Sequence, residues 1–511
     1  MNLFIFLGSI LFVLDMTCVI SIIFIENRDT TTTWAWLLIL LMFPFLGFIL
    51  YLCLGQNISK EKIFKKKAFI DKYKLINSLN IINSSTSNRN GLSSENLSLI
   101  KMNLNTNGSF YTNNNGLKIY TNGVDKFNDL IQDIKHAEKF INIEYYIFRF
   151  DKLGSYLIDI LSEKVKEGIE VRLLVDGMGS SSLTKKQHKY ISDQKIKFSI
   201  FFPSLFSYIN LRLNYRNHRK IVVIDNKIGY VGGFNVGDEY VNEGKQFSFW
   251  RDTHLRLTGD SVYELNKRFT LDWQYAAKED IDMSQNCSSS VSKDHQQPIS
   301  HMFFHEVNIH SETDSNVRDN PSDISMKFKN VGMQIISSGP DNLEEYIRNT
   351  YLKIISNAKK YVYIQTPYLV LDEPMIVALK IAAFSGIDVR IMVPDKADHF
   401  FMKYALSSSI GTLINSGVKF YKYKKGFIHS KTIVSDNMIS SIGTANLDIR
   451  SFKLNFEINA VIYDSSVAES NTDIFLKDIQ DCYLLTINEY KKRSISIKIC
   501  ESLVRLVFPI L

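Results

Sequence analysis

An internal repeat constrains this chain more than any other feature. One copy runs through a helical pattern (Phe127, Leu130, Ile134, Ala137), a strand over 141–147, a helix over 153–166 and the strand of EGIEVRLLVDG. The other copy keeps that order. Leu343, Ile347, Tyr351 and Ile354 fall on one helical face, with Asp341 and Glu344 spaced as a capping box. A strand over 361–365, a helix over 374–385 and the strand of SGIDVRIMVPD follow, and Gly168 and Gly386 hold matching places. Strand, helix, strand in each copy predicts an α/β fold: two halves with mixed sheets flanked by helices, over 116–282 and 326–490.

Each half next carries His-x-Lys-x4-Asp: His218, Lys220 and Asp225 in NHRKIVVID, then His429, Lys431 and Asp436 in IHSKTIVSD. Alternation along a strand puts His and Lys on one face and Asp beyond the strand's end. A glycine and a short run ending in Asn follow each motif: Gly232, Gly233 and Asn235, then Gly443, Thr444 and Asn446. Small residues let backbone amides approach an anion, and Asn can donate to a phosphoryl oxygen. One such match is weak evidence; two in register with a repeat are strong.

These residue types suit phosphodiester chemistry without metal or cofactor. A neutral imidazole can attack phosphorus while a protonated one gives its proton to the leaving oxygen. Two lysines and two Asn side chains would hold the nonbridging oxygens. Each half supplies one His, so one active site needs both halves, and the residues alone do not say which His attacks. Asp252, in FWRDTHLRLTG, and Glu457, in LNFEINA, can each bond an imidazole nitrogen and fix its tautomer. Five Cys without metal-ligand or disulfide spacing read as inert thiols, and no metal site is expected.

The N-terminus points to a membrane. Residues 3–25 and 34–54 are apolar runs, each about the ~20 residues a helix needs to cross a bilayer, and the short link between them predicts a two-helix transmembrane hairpin over 1–56. Lys60, Lys62, Lys65, Lys66, Lys67, Lys72 and Lys74 crowd its exit, which places the rest of the chain on the cytoplasmic side and favours anionic lipid as the partner. The net charge of +7 would help nucleic-acid binding, but much of that excess sits where topology requires it, so no nucleic acid is expected. Residues 57–115 read as a basic, Ser/Asn-rich linker, 283–325 as a polar inserted loop, and 491–511 as an amphipathic segment lying on the membrane or on the protein body.

The paired motifs resemble those of the phospholipase D superfamily, whose members carry two HKD motifs. Through IEYYIFRFDKLG, YRNHRKIVVIDNKIGYVGGFNVGDEY, WRDTHLRLTG and HSKTIVSDNMISSIGTANLDIRSFKLNFE the chain resembles the bacterial cardiolipin synthases of that superfamily. The resemblance implies two phospholipase D-like halves in a plasma-membrane protein. It also implies transfer of a phosphatidyl group between two phosphatidylglycerol molecules, with release of glycerol. By that likeness His218 is the nucleophile and His429 the acid and base, with Lys220, Lys431, Asn235 and Asn446 on phosphate and Asp225 and Asp436 as orienting groups. Hydrolysis to phosphatidic acid and a non-catalytic lipid scaffold are the rival readings. Transfer rather than hydrolysis rests on the family and on no residue.

Overall fold

β-Branched strands alternating with amphipathic helices build two sheets of the same design. The computed structural model describes residues 2–26, 30–51, 67, 92–202, 215–279, 281 and 325–507. Most of the polar loop at 283–325 and most of the linker lie outside the described residues, as do Lys60, Lys62, Lys65, Lys66, Lys72 and Lys74.

In the first half the strand order is Asn115–Tyr120, His254–Gly259, Ile228–Gly232, Ile221–Ile224, Phe140–Tyr145, Glu170–Asp176 and Lys197–Phe201. The second half repeats it with Met333–Ser338, Asn455–Ile462, Ile439–Gly443, Thr432–Ser435, Tyr361–Gln365, Asp388–Pro394 and Lys419–Tyr423, and adds Cys482–Leu485 at the edge. In both sheets the last two pairings of the shared order are parallel and the others antiparallel. The parallel pairings are made by crossover helices such as Lys152–Lys166, which buries Leu157, Ile158 and Leu161.

The halves share a core. Val231, Leu255, Val262, Leu265, Phe269 and Trp273 of one pack with Met333, Ile335, Phe456, Ile458 and Ile462 of the other. Backbone also crosses between them twice. Arg216–Asn217 runs parallel to Asn455–Phe456, and Phe427–Ile428 runs parallel to Trp250–Arg251. Each crossing pairs the residues just before a motif histidine with those just before a carboxylate of the other half.

Beneath the core lies a buried ion cluster. Asp272 bonds Arg219 (2.6 Å) and Arg268 (2.7 Å), and Lys67 reaches Asp341 (2.8 Å) and Asp272 (3.6 Å). This corrects the capping box expected at Asp341 and Glu344. The helix begins later, at Tyr346, with no side-chain cap, and Leu343 is 95% exposed. Asp341 answers the buried lysine instead of a helix N-terminus.

The linker reading also needs correction, because its end, over 92–115, is folded. Ser93 caps the helix Ser94–Asn107 by accepting the Asn96 N–H, and Gly108 ends it at φ 66°. Leu99 and Ile100 enter the second half's core, and Asn103 donates to Gln334 (3.2 Å). Its apolar positions are few, which hides the helix in a polar stretch.

At the N-terminus the first apolar run is a helix, Asn2–Phe24. The second breaks at Phe43, where Pro44 starts a new helix, giving Thr30–Met42 and Pro44–Leu50. Ile22, Trp36, Leu37, Leu40 and Tyr51 pack the helices together. Among the described residues no helix is long and apolar enough to cross a membrane, so the two-span hairpin is not shown. The C-terminal helix Ile495–Val507 docks on the body through Glu501, which bonds Arg493 (2.9 Å) and Ser407 (2.5 Å), and turns Ile495, Ile499 and Leu503 outward.

Candidate active site

The two strand crossings bring both motifs to one place. His218 Nδ1 lies 2.9 Å from Glu457 Oε2, and His429 Nδ1 lies 2.6 Å from Asp252 Oδ2. Each imidazole is therefore held by a carboxylate of the opposite half. With a carboxylate facing Nδ1, the proton sits there and the Nε2 lone pair is left for chemistry. Backbone fixes the same geometry: the His218 N–H donates to Phe456 O (2.9 Å) and the His429 N–H to Arg251 O (2.7 Å).

Lys220 and Lys431 are fully buried. Lys220 Nζ donates to His218 O (2.6 Å), and Lys431 Nζ donates to His429 O. Burial pushes Lys220 down to about 7 and Lys431 down to about 8, although Glu457 and Asp252 pull the other way. Burial likewise lowers His218 and brings His429 down to about 3, outweighing the attraction of Glu457 and Asp252. Both carboxylates stay below their ordinary values: burial opposes this, but for Asp252 it is overcome first by Lys431, and for Glu457 first by His218. The free site thus holds two carboxylates against two neutral imidazoles.

Several residues expected to act on imidazole or phosphate sit elsewhere in the structure. Asp225 and Asp436 stand past the far end of the four-residue strands Ile221–Ile224 and Thr432–Ser435, each about 13 Å long at the ~3.3 Å rise of a strand residue. Asp225 accepts the backbone N–H groups of Glu138, Lys139 and Phe140 (2.7, 2.8 and 2.8 Å), and Asp436 those of Lys359, Lys360 and Tyr361 (2.7, 2.9 and 2.8 Å). They orient no imidazole; they clamp the start of the neighbouring strand. Both sit at φ 56°, a conformation Asp tolerates better than most residues.

The glycines make room for side chains rather than for an anion. A Cβ on Gly233 would stand 1.9 Å from Asp252 Oδ1, and one on Gly443 would stand 2.2 Å from Asn459 Oδ1. Gly232, at φ 155°, would press on His254. Thr444 takes the place matching Gly233, and its hydroxyl donates to Glu457 Oε2 (2.6 Å). Asn235 is committed to structure, accepting the Ile147 N–H (3.1 Å) and donating to Tyr240 (3.3 Å). Asn446 is buried with no hydrogen-bond partner for Oδ1.

Two aromatic walls escaped the sequence reading. Tyr146 meets the His218 ring edge-on at 4.8 Å, and Trp250 lies 5.2 Å from the His429 ring. Only their place in the repeat, one just after a strand and one before Asp252, hinted at them. Among the described residues no cluster of His, Cys, Asp or Glu could hold a metal ion.

Two copies of the family domain described as "Cardiolipin synthase, PLD-like domain" match residues 130–273 and 351–479, and a phospholipase D-nuclease N-terminal domain matches 13–56. Cardiolipin synthase of Clostridium perfringens (strain SM101) is 45% identical over 95% of this chain and 96% of its own length. The chain belongs to the cardiolipin synthase family. Other cardiolipin synthases extend the likeness end to end: that of Oceanobacillus iheyensis is 43% identical over 98% of each chain, and that of Staphylococcus aureus 44% identical over 99% of this chain and 96% of its own. The crystal structure of phosphatidylserine synthase from Haemophilus influenzae shares the fold, with a TM-score of 0.52 over 78% of this chain and 95% of that one at 15% identity. In this cardiolipin synthase family member the matched domains hold both motifs, both paired carboxylates and both aromatic walls.

The geometry separates two kinds of aspartate. Asp225→Ala removes three hydrogen bonds to a charged acceptor and should destabilise the protein by about 2–3 kcal/mol. It should leave kcat within about threefold, since a clamp remote from the imidazoles acts on stability; thermal unfolding and turnover measured side by side check this. Glu457→Gln and Asp252→Asn should instead lower kcat by on the order of 10²–10⁴-fold, by releasing the imidazole tautomer, with the fold retained by circular dichroism.

Proposed function

We propose that this protein joins two phosphatidylglycerol molecules into cardiolipin and glycerol through a phosphohistidine intermediate. The crossed imidazole–carboxylate pairs carry the reading, because each half holds the other's imidazole through Nδ1 and leaves both Nε2 atoms for chemistry. His218 Nε2 attacks the phosphorus of the donor lipid and forms the N–P bond. The P–O bond to the headgroup glycerol breaks, and His429 gives that oxygen its proton. The hydroxyl of a second phosphatidylglycerol then passes its proton to His429 and attacks phosphorus, and the N–P bond breaks. Lys220 and Lys431 balance the charge on the nonbridging oxygens in both steps.

A lipid substrate fits the N-terminus. Two apolar runs, the matching N-terminal family domain and a set of outward apolar side chains (Phe6, Phe12, Phe24, Trp34, Met42 and Phe45) support a plasma-membrane anchor of two spans. The lysines after the second run support a cytoplasmic catalytic body.

The covalent step is directly testable. Protein quenched in acid or base after brief exposure to phosphatidylglycerol should carry a phosphatidyl group on the peptide containing His218, absent in His218→Ala. The same mass on the His429 peptide would reverse the two roles, and phosphatidic acid as sole product would make water the acceptor.

The pH dependence follows from burial. A lysine is charged below its pKa, so the free site carries both ammonium groups below about pH 7 and has lost both above about pH 8. The kcat/KM for anionic lipid should therefore fall as pH rises through this window, and fall again in acid as His218 becomes protonated below the usual imidazole range. A rate–pH profile flat from pH 5 to 9 would contradict the assignment.

A further inference from the structure

We infer that the outward face of the C-terminal helix Ile495–Val507 is a docking surface for an anionic lipid bilayer, which lays the catalytic body on the membrane beside the lipid it consumes. The inference rests on the reading of the protein as an enzyme of anionic phospholipid and deepens it by naming the surface that meets the lipid.

The residue spacing gives this helix two stripes. Ile497, Cys500, Glu501 and Val504, at i, i+3, i+4 and i+7, are buried or half-buried and turn toward the body. Hydrogen bonds fix that side: Glu501 takes Arg493 Nε (2.9 Å) and the Ser407 hydroxyl (2.5 Å), and the Tyr490 hydroxyl donates to Ser407 O (2.9 Å). Ile495, Ile499 and Leu503, at i, i+4 and i+8, form the other stripe and are 76%, 54% and 58% exposed. A single covered stripe is enough to hold a helix on a globular body. Exposed apolar residues scattered singly are ordinary, but three in line on the side away from the body make a patch that calls for a partner.

The charges around the stripe say which partner. Over 491–507 the basic residues are Lys491, Lys492, Arg493, Lys498 and Arg505, and the one acid is Glu501. That acid is buried against the body with Arg493, which leaves Lys491, Lys492, Lys498 and Arg505 exposed beside the stripe with no carboxylate of this segment among them. An apolar stripe edged by cations fits a bilayer of anionic head groups, where each basic residue adds about fivefold to the attraction. A second copy of this chain would instead set the same cations against each other. At the ~1.5 Å rise of a helix, 13 residues reach only about 20 Å, short of the ~30 Å hydrocarbon core, so the helix lies along the surface and does not cross it.

The docking helix rests on an element that leads to the second motif histidine. Through the Glu501–Ser407 bond it sits on the helix Phe400–Leu413, which starts two residues after Asp398. Asp398 accepts the Tyr368 hydroxyl, and the Tyr368 ring stands edge-on to the His429 ring at 6.5 Å. Phe401, in the first turn of the supporting helix, is 70% exposed and adds a further apolar side chain. One hydrogen bond and one ring contact thus link the start of that helix to a reacting imidazole. A body docked by this face takes phosphatidylglycerol from the bilayer without passing it through water. The apolar runs at the N-terminus hold the chain near the surface, so docking is an intramolecular event.

A photoreactive benzophenone side chain in place of Ile499 reports its neighbour directly. The full-length protein carrying it is reconstituted in vesicles of phosphatidylcholine with or without phosphatidylglycerol, illuminated, and analysed by mass spectrometry. The expected product is a lipid adduct, about fivefold or more abundant when phosphatidylglycerol is present. Adducts to a second copy of the chain or to the body of the same chain, or no adduct at all, would overturn the bilayer surface. A variant carrying Ile495→Asp, Ile499→Asp and Leu503→Asp should form cardiolipin from vesicles about tenfold more slowly, since each carboxylate removes apolar burial and repels anionic lipid. The same variant should turn over short-chain phosphatidylglycerol dissolved as monomers within about twofold of the parent. Unchanged rates on vesicles, or an equal loss on both substrates, would overturn the docking role. Crosslinking needs no turnover, so a parent protein that makes phosphatidic acid and no cardiolipin would overturn the synthase reading and leave the lipid adduct in place.

Discussion

The exchange of carboxylates between the halves is the constraint on which the rest of this structure depends. Glu457 holds His218 and Asp252 holds His429, so neither half can orient its own imidazole. A carboxylate buried without its partner is strongly unfavourable, and the halves must therefore close in one register for both to be satisfied. The two short parallel crossings set that register, and the shared core around Phe269, Trp273 and Phe456 holds it. The glycine at 233 follows from the same demand, since the Asp252 carboxylate occupies the space a Cβ would need. In the other half Thr444 adds a hydroxyl to Glu457, so the pseudo-symmetry is kept in position while the chemistry of the support differs.

Much of this was legible because the repeat doubles every signal. The strand at Tyr361–Gln365 and the helices at Lys152–Lys166 and Glu373–Phe384 lie where period and β-branching put them. The motif histidines, their lysines and the supporting carboxylates were visible as residue types at matched spacing. What the spacing could not carry was direction. Asp225 and Asp436 belong to the motif in sequence, yet a four-residue strand takes them to the far end of the sheet, where they bind three amides each. That the carboxylates cross between halves is a tertiary fact with no local trace. The helix Ser94–Asn107 was missed because its buried face includes the polar Asn96 and Asn103, and the Asn103 side chain is satisfied by partners more than two hundred residues away. Asp341 misled for the same reason: its partner is a lysine far upstream.

The electrostatics of the site give its substrate a part in its own activation. With both lysines charged, both carboxylates charged and both imidazoles neutral, the buried groups of the free site balance. Burial acts against this state, which is why Lys220 and Lys431 lie near neutrality and why His429 resists protonation down to about 3. A phosphodiester entering between them brings one negative charge. It favours the ammonium form of both lysines and draws in one further proton, for which an imidazole is the available base. One imidazole charged and one neutral is the state that two-histidine phosphoryl transfer requires. Supplied by the ligand in this way, the state is absent from the empty site, and on the proposed mechanism it would be restored for the second half of the reaction while phosphorus remains bound. On the proposed mechanism the proton then stays within the pair of halves, passing between His429 and the two glycerol oxygens, and the covalent intermediate would be met by an alcohol in a site already balanced for it.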